Sequence, residues 1–215
     1  MIDIPEAERH LARVDVVMRD LIRDLGPCTL RKQRGLTPYH TLVRAVAHQQ
    51  LNGIAAESIL GRLTALTPGP GFPEPPDLLR LSEQALRAVG FSRAKAQSLH
   101  DIAEKTVNGE IPSARQLARL DDEAAIERLT VARGVGRWTA EILLLRAGRP
   151  DVLPADDFGL RSGFRAAYRR PAIPTARQLR TFGERWSPFR SVASWYLWRA
   201  ADRARTEARA ALPKK

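Results

Sequence analysis

The chain has 215 residues, of which 44% are hydrophobic, so it can bury the core of one large domain or of two small packed ones. Its net charge of +11 favours a polyanionic partner but by itself equally fits a basic soluble protein. No apolar run approaches the ~20 residues that span a bilayer, and the single cysteine, Cys28, excludes an internal disulfide, a zinc ribbon and a four-cysteine iron–sulfur cluster. Met1 to Leu11 is charged and lacks a signal-peptide core, so a cytoplasmic location is expected, with no membrane contact. The four histidines show no metal-ligand spacing.

The pattern is helical throughout. From Pro5 to Leu25, residues Leu11, Val14, Val17, Met18, Leu21 and Leu25 fall on one face, predicting one amphipathic helix that Gly26-Pro27 ends. Thr37-Pro38 reads as N-cap and first helical residue, opening a helix through Leu42, Val43 and Val46. A second helix covers Ile54 to Leu66, followed by a Pro/Gly-rich loop, Pro68 to Pro76. Ser82 caps Glu83 to Val89, and Ser92 to Val107 is helical up to Asn108-Gly109. Ser113-x-x-Gln116 and Thr175-x-x-Gln178 are capping boxes. Asp121 starts a helix to Leu129, Arg137 to Ala147 forms another, and Ser187-Pro188 opens a last long helix to Ala211. No stretch alternates with period two for long enough to be a strand, so the expected class is all-α with about ten helices.

The turn between Leu129 and Ala140 carries chemistry. Gly134 and Gly136 flank Val135, and the first turn of the following helix offers N–H donors and a positive dipole end, both suited to a phosphate. Glycines there permit positive φ and close backbone approach. A plain corner between two helices, with glycine at the C-cap, fits these residues as well. Some twenty positions further on, Leu153-Pro154-Ala155-Asp156-Asp157-Phe158-Gly159-Leu160 supplies an acid.

Taken together, the hairpin, the spacing and the acid resemble the helix-hairpin-helix of the HhH-GPD superfamily of DNA glycosylases, with Arg133 where that family has proline. Thr37-Pro38-Tyr39 with Val46-Ala47-His48-Gln49-Gln50-Leu51, the segment Val89 to Ala96, and Glu184 to Ser191 with Trp198 are similar to its AlkA branch, the 3-methyladenine DNA glycosylase II type. The resemblance covers residues 35–205. It implies two packed helical subdomains with the active site in the cleft between them, an N-terminal helix over 1–34, a basic tail over 206–215, and a compact form without the N-terminal sheet domain of longer relatives.

The resemblance also implies the site. The protein would evert an alkylated purine from double-stranded DNA and hydrolyse its N-glycosidic bond, leaving an abasic site. Asp157 is the expected catalytic carboxylate, facing the positive charge that develops on the sugar, with Asp156 as the structural N-cap of the next helix. Trp138, Trp198, Phe158 and Tyr39 are expected in the base pocket, where aromatic faces attract a cationic base; an AlkA-branch pocket tyrosine is Ile142 here. Leu51, with Gln50, would fill the gap left in the duplex. Arg133, Gly134, Gly136, Arg137 and Thr139 would hold the DNA backbone. No cofactor is required; carbonyls of Thr130, Ala132 and Val135 would accommodate Na+ or K+. Trp138 stands where bifunctional relatives have their Schiff-base lysine, which implies a monofunctional enzyme. A monomer is expected. The alternatives are a non-catalytic helix-hairpin-helix DNA-binding protein, which has no use for Asp157, a glycosylase for hypoxanthine, ethenoadenine or oxidised bases, a glycosylase/lyase, and a merely basic helical scaffold.

Overall fold

The computed structural model describes residues 2–33, 35, 37–67 and 71–210. These form α1 (Ile4–Val14), α2 (Val16–Leu25), α3 (Pro38–His48), α4 (Gly53–Ala65), α5 (Pro75–Arg80), α6 (Glu83–Ala88) and α7 (Arg93–Val107). Then follow α8 (Ala114–Leu117), α9 (Asp122–Thr130), α10 (Arg137–Arg146), α11 (Phe158–Ala167), α12 (Ala176–Gly183), a 3-10 turn (Glu184–Trp186) and α13 (Arg190–Ala210). There is no strand among the described residues. Residues 211–215 of the expected tail and 68–70 of the expected loop lie outside them, while 206–210 continue α13. The chain divides into two compact units, Met1–Gln33 with Leu144–Lys215, and Arg34–Leu143, so the first unit is discontinuous in sequence.

Side-chain caps explain most helix starts. Thr37, Asn52, Ser82, Ser92 and Asp121 each accept a backbone N–H three residues on. Both capping boxes form, at Ser113–Gln116 and Thr175–Gln178. The N-terminal segment departs from expectation: it is two helices broken at Asp15. Asp15 is extended (φ −149°) and its Oδ1 accepts the N–H groups of Val17 and Met18 at 2.9 and 3.3 Å. Its Oδ2 accepts from the Tyr168 hydroxyl (2.6 Å) and the Trp186 indole N–H (2.9 Å). Four donors on one buried carboxylate outweigh a continuous helix, because burying it unpartnered would cost several kcal/mol.

In the discontinuous unit, Leu11, Met18, Leu160, Phe164, Leu179, Trp186 and Tyr196 belong to one core. Phe164 stacks on Tyr168 with centroids 4.3 Å apart, and Phe182 meets both edge-on. The packing of α11 on α13 is set by Gly163: a Cβ there would lie 1.9 Å from the Leu197 carbonyl oxygen. Only glycine lets the two backbones approach this closely. The contact fixes the start of α11 beside Trp198.

Candidate functional site

The functional residues fall in both units. In the discontinuous one, Asp157 is the N-cap of α11: its Oδ1 accepts the Leu160 N–H at 2.6 Å. The same oxygen accepts the indole N–H of Trp198, on α13, at 2.9 Å. This corrects the assignment of the cap to Asp156, which is exposed and pairs with Arg180. The helix begins one residue later than that assignment requires, at Phe158, and a cap side chain reaches the amide three positions on. Two donors from different helices hold the half-buried Asp157 carboxylate in one orientation. Phe158, next to it, is 66% exposed.

In the unit Arg34–Leu143, α9 and α10 form the hairpin. Val135 is buried, as a residue tucked back under the turn should be. Gly134 has a φ of +78°, and a Cβ there would lie 2.8 Å from Ser98 Oγ, so both conformation and space select glycine. Gly136 differs: its φ is not positive and a Cβ would meet nothing within 4 Å. The Arg133 N–H is held by Asp101 Oδ2 at 2.7 Å, and Lys105 bridges Asp101 and the Val131 carbonyl. Arg137 is engaged by Glu123 (2.9 and 2.5 Å) and by Glu141 (2.9 Å), and Thr139 is buried. Trp138, in the first turn of α10, is 42% exposed.

Leu51 is 40% exposed on the short connection from α3 to α4, and Gln50 beside it has a φ of +57°. Sequence reasoning missed how this connection is held. Gln49 Nε2 donates to the Gly134 carbonyl at 2.9 Å, and Lys95 Nζ donates to the carbonyls of Ala47 (2.9 Å) and Gln49 (2.7 Å). Tyr39 is 3% exposed and packs edge-on against Phe72. Its hydroxyl is buried without a hydrogen-bond partner among the described residues. No helix among the described residues is long and apolar enough to cross a membrane.

The family model of the HhH-GPD superfamily base excision DNA repair proteins matches residues 43–188. DNA-3-methyladenine glycosylase 1 of Schizosaccharomyces pombe is 40% identical over 205 residues, covering 94% of this chain and 89% of that protein. DNA-3-methyladenine glycosylase 2 of Escherichia coli is 34% identical over 128 residues, 59% of this chain and 42% of that protein. Among solved structures, the S. pombe 3-methyladenine DNA glycosylase in complex with abasic DNA superposes with a TM-score of 0.80 at 41% identity, covering 90% of this chain and 95% of that one. A DNA-3-methyladenine glycosidase from Bacillus halodurans gives 0.85 at 32%, covering 95% and 93%.

The chain belongs to the HhH-GPD superfamily of base excision DNA repair proteins. Within it, the chain is of the 3-methyladenine DNA glycosylase type, and the all-helical fold is that of the glycosylases of this superfamily.

Proposed function

We propose that the protein is a monofunctional, monomeric glycosylase that removes alkylated purines such as 3-methyladenine and 7-methylguanine from double-stranded DNA. The observation that carries this is the Asp157 carboxylate, held by Leu160 and Trp198. A fixed carboxylate stabilises the positive charge that appears on the sugar as the N-glycosidic bond breaks, and it can orient the attacking water. A plain DNA-binding hairpin gains nothing from such an acid beside a phosphodiester.

In the discontinuous unit, Trp198 and Phe158 supply ring faces for a cationic base beside Asp157; in the unit Arg34–Leu143, Trp138 presents a further exposed ring, and Leu51 with Gln50 fills the vacated stack. Tyr39 is a buried ring rather than an exposed wall. The first-turn amides after Gly134 and Gly136, with Arg133, seat a phosphate; the buried Thr139 supports α10 from within rather than presenting its side chain to the phosphate, and Arg137 ties α10 to Glu123 on α9. The carbonyls of Thr130, Ala132 and Val135 suit a monovalent cation, although Ala132 already accepts the Val135 N–H at 3.1 Å. A strand-cleaving lyase would need a free amine. At the hairpin position the chain has Trp138, and the two lysines of α7, Lys95 and Lys105, have their Nζ atoms engaged by carbonyl or carboxylate oxygens. Buried Cys28 fits a reducing cytoplasm.

The test is single-turnover excision on a panel of duplexes with defined lesions, followed by borohydride trapping. Release of 3-methyladenine or 7-methylguanine with alkali-dependent strand breaks is expected. A borohydride-trapped adduct, or release of oxidised bases alone, would refute the proposal.

A further inference from the structure

Leu51 can act as a wedge only if its short connection keeps its shape against a base stack. That connection contains a strained residue, Gln50, whose φ of +57° is unusual for a side chain larger than glycine. Such a conformation persists only when its surroundings over-determine it. The surroundings here are Lys95 and Gln49. Lys95 projects from α7 onto the end of α3, where carbonyls lack intrahelical donors and the dipole is negative. Its ammonium is half-buried and donates to two neutral carbonyls, one of them belonging to Gln49 itself. Burial lowers its pKa, the cost of using a cation as an internal strut. From the other side, the Gln49 side chain reaches the Gly134 carbonyl in the hairpin turn. All of these residues lie in the unit Arg34–Leu143.

We propose that Lys95 and Gln49 are positioning residues for DNA intercalation: Lys95 braces the end of α3, and Gln49 joins it to the Gly134 turn. Seating a phosphate at the hairpin then advances Leu51 as part of the same rigid piece. The proposal rests on the reading of Leu51 as the wedge. It concerns insertion and not bond cleavage, so its effect is separable from that of Asp157.

The experiment uses a duplex with a tetrahydrofuran abasic site flanked by 2-aminopurine, whose fluorescence reports local unstacking without any excision. In stopped flow, Lys95→Met and Gln49→Leu should each slow the fluorescence change about tenfold, since small misplacements of a positioned group cost large factors. Lys95→Arg, which keeps the cation and its donors, should recover most of the rate. Leu51→Ala should abolish the signal, and adding Lys95→Met to it should weaken DNA binding no further; Gln49→Leu carries the test should Lys95→Met fold poorly. Rates within about twofold of wild type for both variants, with Leu51→Ala still silent, would overturn the latch and leave the wedge standing. So would a further loss of binding in the double variant. A signal that survives Leu51→Ala would remove the wedge and the latch together.

Discussion

The indole N–H of Trp198 and the backbone N–H of Leu160 converge on a single oxygen of Asp157, at 2.9 and 2.6 Å. Trp198 therefore orients the carboxylate, a role separate from the ring face proposed for it. Trp198→Phe keeps an aromatic face and removes the donor. Excision should fall about tenfold, the order expected for a misaligned catalytic group, with little change in melting temperature. Rates equal to wild type would reduce Trp198 to a wall of the pocket.

Asp157→Asn separates charge from capping. Asparagine caps helices as well as aspartate does, so stability should hold. Excision should drop by at least about 100-fold, because the charge acts on the transition state, and affinity for lesion DNA should stay within a few-fold. Activity within tenfold of wild type would displace Asp157 as the catalytic residue. Asp156→Asn, which loses only the exposed pair with Arg180, should excise normally.

Gly163→Ala should damage the site from a distance. Its Cβ would lie 1.9 Å from the Leu197 carbonyl, so α11 and α13 must separate. Overpacking of this kind costs about 1–3 kcal/mol or more, a fall of roughly 5 °C in melting temperature for a chain of this size. Excision measured well below that temperature should still be impaired, since the separation parts Asp157 from Trp198. Full activity in the folded fraction would show that the two helices hold the carboxylate independently.

The hairpin glycines should respond differently. Gly136→Ala should fold and bind as wild type does, because there is room for its Cβ and φ is ordinary. Gly136→Asp then tests charge alone, and should weaken binding to any duplex about tenfold at low salt, converging with wild type as salt rises. Gly134→Ala should destabilise the turn by about 1 kcal/mol or more through its positive φ. If Gly136→Asp binds normally at low salt, the phosphate lies elsewhere.

Asp151 gives a pH prediction. Burial opposes its charge, but hydrogen bonds from Arg190 and Ser187 prevail and hold its carboxyl below the usual range. A lowered folded-state pKa contributes stability above the unfolded value, about 3.9, that is lost as pH falls through the folded one. Arg190→Gln should thus cost about 1.5 kcal/mol at pH 7, the lower end for charged hydrogen bonds. The gap from wild type should close on acidification below about pH 4. A gap independent of pH would mean that Arg190 acts only by packing.

What the sequence disclosed was what is local. Ser82, Asp121, Ser113 and Thr175 cap helices because a side chain reaches an amide three residues away, a relation visible in the string itself. Asp15 was invisible as a break because the apolar face continues across it, and its partners stand 153 and 171 positions off. Asp157 was found through its motif, yet no local pattern decides which of two adjacent aspartates starts α11. The struts at Lys95 and Gln49 end on backbone carbonyls, which every residue has, so residue types carry no trace of them. Tyr39 was placed by analogy of position, and the ring against Phe72 sets its burial.

The interrupted unit has a consequence for biosynthesis. Leu11 and Met18 are made first, but Tyr168, Trp186 and Tyr196, which share their core or bond to their neighbours, are translated last. The intervening Arg34–Leu143 is contiguous and can collapse while the ribosome is still working. The N-terminal pair of helices must meanwhile wait with its apolar stripe uncovered, held back by the long loop that closes only when α11, the 3-10 turn and α13 have been made. During synthesis, that stripe is the segment for a nascent-chain chaperone to shield.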